Sequence, residues 1–215
     1  IPVMVGIGSL NAYDVLKNAE DAQTLGASSI MLAPVSYHKL TEDDVFRLFE
    51  MVSHESSIPI CVYDNPNTTH FQFSDELYAR IATLPNIDSF KIPAIAKDLE
   101  KSKERIHAIR AKIPKHIKLG VSADSSATWG IAAGADMWFS AIGGLFPTVI
   151  QNIIQNIIKG NLEAAIQQSE ALEPSWAIIA EYPGSVRCMG AMAEILALVQ
   201  TPCLPKPLKE MSSED

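Results

Sequence analysis

Residues 87–93 have the sequence Ile-Asp-Ser-Phe-Lys-Ile-Pro, which predicts a short β-strand that ends at a proline. Alternation along a strand places Ser89 and Lys91 on one face and Phe90 and Ile92 on the other. Both faces of a parallel sheet are covered, so a lysine inside such a strand is a candidate for a buried amine. Burial lowers the pKa of an ammonium group toward the range in which lysine attacks a carbonyl and forms a Schiff base. The competing interpretation is a lysine at the strand end that reaches solvent.

A second reactive side chain ends the preceding predicted strand. Residues 59–63, Pro-Ile-Cys-Val-Tyr, place Tyr63 at the carboxyl end of that strand, as Lys91 lies near the end of its own. Adjacent strands are ~4.8 Å apart, so the two side chains are expected to meet at the rim where parallel α/β folds carry their active sites. A phenol beside an amine can move protons during imine formation and carbon–carbon cleavage. The alternative for Tyr63 is a core aromatic residue.

Similar apolar runs recur along the chain. They predict six strands, at residues 2–7, 29–33, 59–63, 87–92, 118–122 and 136–142. Each run precedes a segment with helical periodicity, and the first five begin about 30 residues apart, the length of a βαβ unit. Such units pair their strands in parallel. After the sixth strand the pattern is helical only, and it predicts helices at residues 146–159, 161–181 and 185–199.

Two architectures accept six parallel strands connected in this way. One is an open, doubly wound sheet, and the other is an eight-stranded barrel in which two βα units are missing. The chain begins at Ile1 inside an apolar run, without a methionine. That beginning favours the incomplete barrel.

Composition excludes several classes of function. The chain has 25 acidic residues against 17 lysines and arginines, a formal charge of −8, which disfavours a nucleic-acid or anionic-membrane partner. Its apolar runs are shorter than the ~18 residues that a bilayer requires. The three cysteines are far apart and form no CxxC motif, which favours a cytoplasmic protein without disulfides. The histidines show no metal-ligand spacing, and Gly6-Ile7-Gly8 lacks the third glycine of a dinucleotide fingerprint, so neither a metal nor a cofactor is expected.

The two strands that carry Tyr63 and Lys91 also resemble a known family. Residues 59–66 and 86–91 resemble the tyrosine and Schiff-base lysine strands of the dihydrodipicolinate synthase and N-acetylneuraminate lyase family, which are pyruvate-dependent class I aldolases. Further similarity lies in residues 5–9, 32–37, 120–124, 134–140 and 204–208. The resemblance implies a TIM (β/α)8 barrel that lacks its first two βα units. Residues 1–160 would then form units three to eight, and residues 161–215 a C-terminal helical region.

The same resemblance implies a site. Lys91 would form an imine with pyruvate, or release pyruvate from another 2-keto acid, with Tyr63 as the acid and base. Family members are usually tetrameric, and Tyr37 matches a tyrosine that enters a neighbouring subunit's site. Asp124 lies at the rim of the fifth predicted strand and would either contact substrate hydroxyls or cap the helix that follows. Of these two roles, the helix cap is favoured. The candidate substrate-binding residues are Tyr37, Thr68, Ser122, Asp124 and Ser140.

One departure from the family separates the possible activities. Thr68 stands where dihydrodipicolinate synthases place an arginine that meets the substrate's second carboxylate, and a hydroxyl cannot replace a bidentate guanidinium. The apolar Pro93-Ala94-Ile95-Ala96 after the lysine strand likewise indicates a different aldehyde or a sugar-acid-like substrate. The alternatives are dihydrodipicolinate synthesis itself, or an inactive barrel paralogue that serves in binding or assembly.

Overall fold

A computed structural model describes residues 1–182 and 185–212. Six strands form a parallel sheet in the order β1-β2-β3-β4-β5-β6. Their bounds are β1 Met4–Gly6, β2 Ser29–Leu32, β3 Ile60–Tyr63, β4 Ile87–Ile92, β5 Lys118–Val121 and β6 Met137–Trp138. The sheet curls into a half-barrel. Because strand order never reverses along the sheet, the doubly wound alternative is wrong.

Helices connect and follow the strands. They are α1 Ala12–Thr24, α2 Glu42–Glu55, α3 Pro66–Thr69, α4 Asp75–Ile81, α5 Leu99–Arg110, α6 Asp124–Ala132, a 3-10 turn at Ile142–Gly144, α7 Pro147–Ile158, α8 Leu162–Glu170, α9 Glu173–Glu181 and α10 Ser185–Ile195. Side chains cap the start of α2, where Thr41 and Asp44 form a capping box, and the start of α4, where Ser74 accepts a hydrogen bond from the Leu77 amide. No helix among the described residues is both long and apolar enough to cross a membrane.

The core has two parts. The main cluster lies between the sheet and the helices that cover it, and it includes the fully buried Val62 of β3 and Phe90 of β4. The smaller cluster contains Ile142, Ile150 and Trp176, so it belongs to the helices beyond the sheet. Burial of apolar surface stabilises a fold by about 25 cal/mol per Å². Because the main cluster buries more apolar side chains than the smaller one, it contributes more to the stability of the fold.

Two of the predicted elements that differ from the structure have an identifiable physical cause. The sixth strand was predicted over residues 136–142, but β6 ends at Trp138, because the Ala141 and Ile142 amides donate to the Asp124 carboxylate instead of to a neighbouring strand. The helix predicted over residues 161–181 is two helices, since α9 restarts at Glu173 with a proline in its first turn, where a missing amide hydrogen is tolerated. The division of the chain at residue 160 stays a prediction.

Candidate active site

The register of β3 and β4 brings the lysine and the tyrosine together. Tyr63 is the direct partner of Lys91 in the parallel ladder, and the Asp64 amide donates to the Lys91 carbonyl at 3.0 Å. The Lys91 Nζ lies 3.8 Å from the centroid of the Tyr63 ring and 5.3 Å from that of Phe139. A cation over aromatic faces is held electrostatically, so the amine is positioned between two rings at the carboxyl-terminal rim.

Partial burial tunes both groups. It lowers the pKa of the Lys91 ammonium from its ordinary value, and the negative charge of Asp124 acts in the opposite direction. It raises the pKa of the Tyr63 phenol, which keeps the hydroxyl protonated near neutral pH. A lysine with a lowered pKa is more often a neutral nucleophile, and a protonated phenol can donate a proton. Burial therefore shifts both groups in the direction that imine chemistry requires.

A buried carboxyl group fixes the end of β3 directly behind Tyr63. Asp64 is 3% exposed and accepts a hydrogen bond from the Tyr78 hydroxyl at 2.6 Å. Burial raises the pKa of Asp64 to about 6, although the hydrogen bond from Tyr78 favours its charged form. This hydrogen bond connects the end of β3 to α4 and so helps to position Tyr63, the residue before Asp64.

The lysine and tyrosine open into a cavity of about 270 Å³. Its lining comes from the ends of β3, β4 and β5, from the start of α6, from the segment after β6, and from α9 and α10. A larger cavity of about 590 Å³ lies among α9, α10 and the C-terminal segment, and its lining contains no lysine. The smaller cavity is the one lined by the Lys91–Tyr63 pair, so it is the candidate active site.

Asp124 does not cap the helix that follows it. It occupies the first position of α6, where Ala123 is the N-cap residue and provides no side-chain hydrogen bond. Its carboxylate instead accepts hydrogen bonds from Trp138 Nε1 at 2.9 Å and from the Ala141 and Ile142 amides at 3.0 and 3.3 Å. The predicted cap is therefore wrong, because three donors on the chain after β6 compete successfully for the carboxylate. Asp124 still lines the cavity beside Lys91.

Of the other predicted binding residues, Ser122 and Ser140 lie at or next to the cavity, and Tyr37 and Thr68 lie outside it. Ser122 lines the cavity, and its hydroxyl donates to the Ile92 carbonyl at 2.7 Å. Ser140 lies next to the lining residue Ala141, but its hydroxyl accepts from the Gly143 amide at 2.8 Å and it is not itself part of the lining. The Ser140 hydroxyl is thus used within the turn formed by residues 140–144, where it accepts the Gly143 hydrogen bond.

Tyr37 and Thr68 lie outside this cavity. Tyr37 is 87% exposed and contacts only His38 among aromatic rings in the described chain, edge to face at 5.2 Å. Thr68 is an exposed residue of the short α3, where its hydroxyl accepts a hydrogen bond from Asn65 at 3.0 Å. Within this chain, neither side chain reaches the lysine.

Two aromatic lining residues were among those missed by sequence reasoning. The ring of Phe139 fits against β5 because Gly120 has no side chain, and a Cβ there would lie 2.3 Å from the ring. Its position just after β6 is a rim position, so strand counting could have identified it. Trp176 comes from α9, and no local pattern in the sequence connects that helix to the lysine strand.

Comparison with known proteins agrees with this architecture. A model of the dihydrodipicolinate synthetase family matches residues 1–215. The chain is 26% identical over 211 residues to a 4-hydroxy-tetrahydrodipicolinate synthase of Nitrobacter hamburgensis, covering 95% of this chain and 69% of that protein. It is also 26% identical over 174 residues to the Rickettsia rickettsii enzyme of the same name, covering 81% of this chain and 57% of that protein. The chain therefore spans less than two thirds of the Rickettsia relative.

Solved structures give the same result. A dihydrodipicolinate synthase from Agrobacterium tumefaciens superposes with a TM-score of 0.92 at 34% identity, covering 99% of this chain and 70% of that one. The Thermotoga maritima dihydrodipicolinate synthase has a TM-score of 0.88 at 22% identity, covering 100% of this chain and 71% of that one, and it supports the fold alone.

Fold and site together define an α/β half-barrel with a lysine–tyrosine pair at its carboxyl-terminal rim. The chain belongs to the dihydrodipicolinate synthetase family. Its homologues in that family are carbon–carbon lyases. The family resemblance inferred from the sequence is thereby confirmed, and so is the class of enzyme that it implied.

Proposed function

We propose that Lys91 forms an imine with the keto carbon of pyruvate or of a longer 2-keto acid. The neutral amine adds to the carbonyl, and the carbinolamine loses its hydroxyl as water to give the iminium ion. The iminium accepts the electron pair left when the substrate's C3–H or C3–C4 bond breaks, which gives an enamine. The observation that carries this proposal is the half-buried Lys91, which lines the cavity and whose Nζ lies 3.8 Å from the centroid of the Tyr63 ring.

Tyr63 is the proposed acid and base. Its phenol stays protonated because burial raises its pKa, so it can protonate the departing hydroxyl of the carbinolamine. The phenolate that results can then take the proton released from C3, which restores the phenol. Ser122 and Asp124 line the same cavity and are the proposed contacts for the substrate's oxygen atoms. Ser140 is proposed to act indirectly, through the turn that it closes with Gly143.

The proposed barrel is completed by two βα units that would precede residue 1. Residues 1–160 then form units three to eight, and the helices after residue 160 form a C-terminal extension. The exposure of the apolar Val3, just before β1, and Met4, its first residue, 56% and 38%, supports this proposal, because natural edge strands are usually blocked by charge or proline. Residues 1–215 expressed alone should associate through this edge, whereas a soluble monomeric fragment would contradict the proposal.

The proposed acceptor substrate differs from that of dihydrodipicolinate synthases. The position of their arginine holds the exposed Thr68, and no arginine lines the cavity among the described residues. A second carboxylate would therefore lack the bidentate partner that it requires. Dihydrodipicolinate synthesis is kept as the second candidate, since the relatives carry that name. No observation favours an inactive paralogue.

Assembly and location follow the resemblance. We propose a cytoplasmic homo-oligomer, with the family's tetramer as the expected state, in which the 87% exposed Tyr37 contacts a neighbouring subunit. No nucleic acid, membrane, metal or cofactor has a part in the proposed reaction. Size-exclusion chromatography with light scattering tests the assembly, and a Tyr37→Ala variant with unchanged mass and activity would remove this residue from the interface.

Borohydride trapping tests the proposed nucleophile. The protein is incubated with pyruvate, reduced and digested, and the expected result is a pyruvate adduct on the peptide that contains Lys91. The control is Lys101→Arg, which replaces a lysine of α5 outside the cavity and should leave the adduct in place. An adduct on another lysine, or none, would refute the class I aldolase proposal for this chain.

A further inference from the structure

We infer that the indole Nε1–H of Trp176 donates a hydrogen bond to the part of the substrate beyond the pyruvoyl unit, and that it selects an uncharged oxygen there. The inference rests on the proposed function of Lys91, because both residues line one cavity. It adds a specificity-determining residue from a helix that lies outside the sheet.

The first observation is a buried donor without an acceptor. Trp176 is 5% exposed, and its Nε1 has no hydrogen-bond partner in the part of the chain that the structure describes. Nearby Trp138 shows the ordinary situation, since its Nε1 donates to Asp124 at 2.9 Å. A buried N–H that has lost its water destabilises the protein unless something accepts from it. A ligand in the cavity that Trp176 lines would supply that acceptor.

The second observation is that Trp176 is held in position. Its ring packs in the smaller core cluster with Ile142 and Ile150. The first residue of its helix, Glu173, accepts hydrogen bonds from Lys97 Nζ through both carboxylate oxygens, at 3.0 and 2.8 Å. Lys97 belongs to the segment that follows the lysine strand. These contacts anchor α9 to the same rim that carries Lys91, as a preorganised specificity residue requires.

The third observation concerns charge. Among the described residues that line the cavity, Lys91 and Asp124 are the charged ones, and the proposed imine uses the lysine. The Asp124 carboxylate already accepts three hydrogen bonds from the protein. The α9 side of the cavity otherwise presents the apolar Ile179 and Ala180. A single neutral donor on an apolar wall suits a hydroxyl or carbonyl oxygen, whereas a carboxylate there would be desolvated without a cation.

Two aldehydes that differ in one group test the inference. Pyruvate is condensed with 3-hydroxypropanal or with butanal, in which a methyl group replaces the hydroxyl. Trp176→Phe keeps a packed ring and removes the N–H. We expect the ratio of kcat/KM for 3-hydroxypropanal over butanal to fall roughly tenfold, the effect of one lost hydrogen bond. Trp129→Phe changes a buried tryptophan outside the lining and should leave the ratio unchanged.

The outcomes separate this inference from the proposed function. If pyruvate and borohydride give no adduct on Lys91 in the unmodified protein, both are refuted. If the adduct forms but Trp176→Phe lowers both kcat/KM values equally, Trp176 is only a packing residue and the inference alone is overturned. Faster turnover of succinic semialdehyde, which carries a carboxylate, than of 3-hydroxypropanal would also overturn it, as would failure of both uncharged aldehydes to react.

Discussion

The candidate site has two unlike walls. The strand wall consists of Tyr63 at the end of β3 and Lys91 on β4, paired in register over the main core. The helix wall consists of Trp176, Ile179 and Ala180 on α9, and its support is the smaller cluster and an exposed ion pair. The strand wall contains the groups that can make and break bonds. The helix wall provides an apolar surface and one hydrogen-bond donor, the indole Nε1 of Trp176. If the proposed roles hold, reactivity and selectivity are carried by different parts of the fold, and each can be changed separately.

The largest effect is expected from the strand wall, with Lys91→Arg. Arginine keeps a positive charge between the two rings but cannot form an imine, so we expect kcat to fall by at least about 10⁴-fold. The measurement is pyruvate consumption together with borohydride trapping, and circular dichroism confirms the fold. Activity within tenfold of the unmodified protein would show that another amine is the nucleophile.

Tyr63→Phe is expected to have the next largest effect. It keeps the ring beneath Lys91 Nζ and removes the hydroxyl, so kcat should fall by ~10² to 10⁴-fold while the adduct on Lys91 still forms on long incubation. Tyr13→Phe removes the hydroxyl of a 77% exposed tyrosine on α1 and serves as the control. An unchanged rate in Tyr63→Phe would remove the phenol from proton transfer.

Asp124→Asn tests a residue that faces both walls. The Asp124 charge raises the pKa of Lys91, so its removal should lower that pKa further below its ordinary value. The amine then becomes neutral at lower pH, and the acid limb of the kcat/KM profile should move down by less than about one pH unit. Asp88→Asn changes an exposed aspartate of β4 and should not move the limb. A shift to higher pH would contradict the assigned electrostatics.

Lys97→Met is expected to have the smallest effect, and that effect lies on the helix wall. The Lys97–Glu173 pair is exposed, with side chains 41% and 58% accessible, so its loss should cost less than about 1 kcal/mol of stability. We expect a rise of about twofold to fivefold in KM for the aldehyde with little change in kcat, because α9 is held less firmly. The control is Lys103→Met, which removes a pair within α5. Equal losses in kcat would place Lys97 in the chemistry instead.

The two walls also differ in how far the sequence predicts them. Lys91 and Tyr63 follow from local rules, since strand alternation and the pairing of consecutive strands place them at one rim. Trp176 lies on a helix whose periodicity indicates only that it has a buried face, and nothing local says what that face covers. Asp124 shows the same limit, because a residue at a helix start is expected to cap it unless distant donors compete. The positions and partners of Trp176 and Asp124 depend on contacts with segments distant in the sequence, which local patterns do not reveal.

The sequential strand order has a consequence for how the protein folds. Each ladder joins a strand to the next one in the chain, so Tyr63 and Lys91 meet when a single loop of roughly 30 residues closes. Loop closure costs more entropy as the loop lengthens, and contacts close in sequence favour fast folding. We expect amides of β3 and β4 to gain protection in pulsed hydrogen exchange before those of α9. The reactive pair would then exist as a local kinetic unit, and the pocket around it would be completed by a segment that docks later.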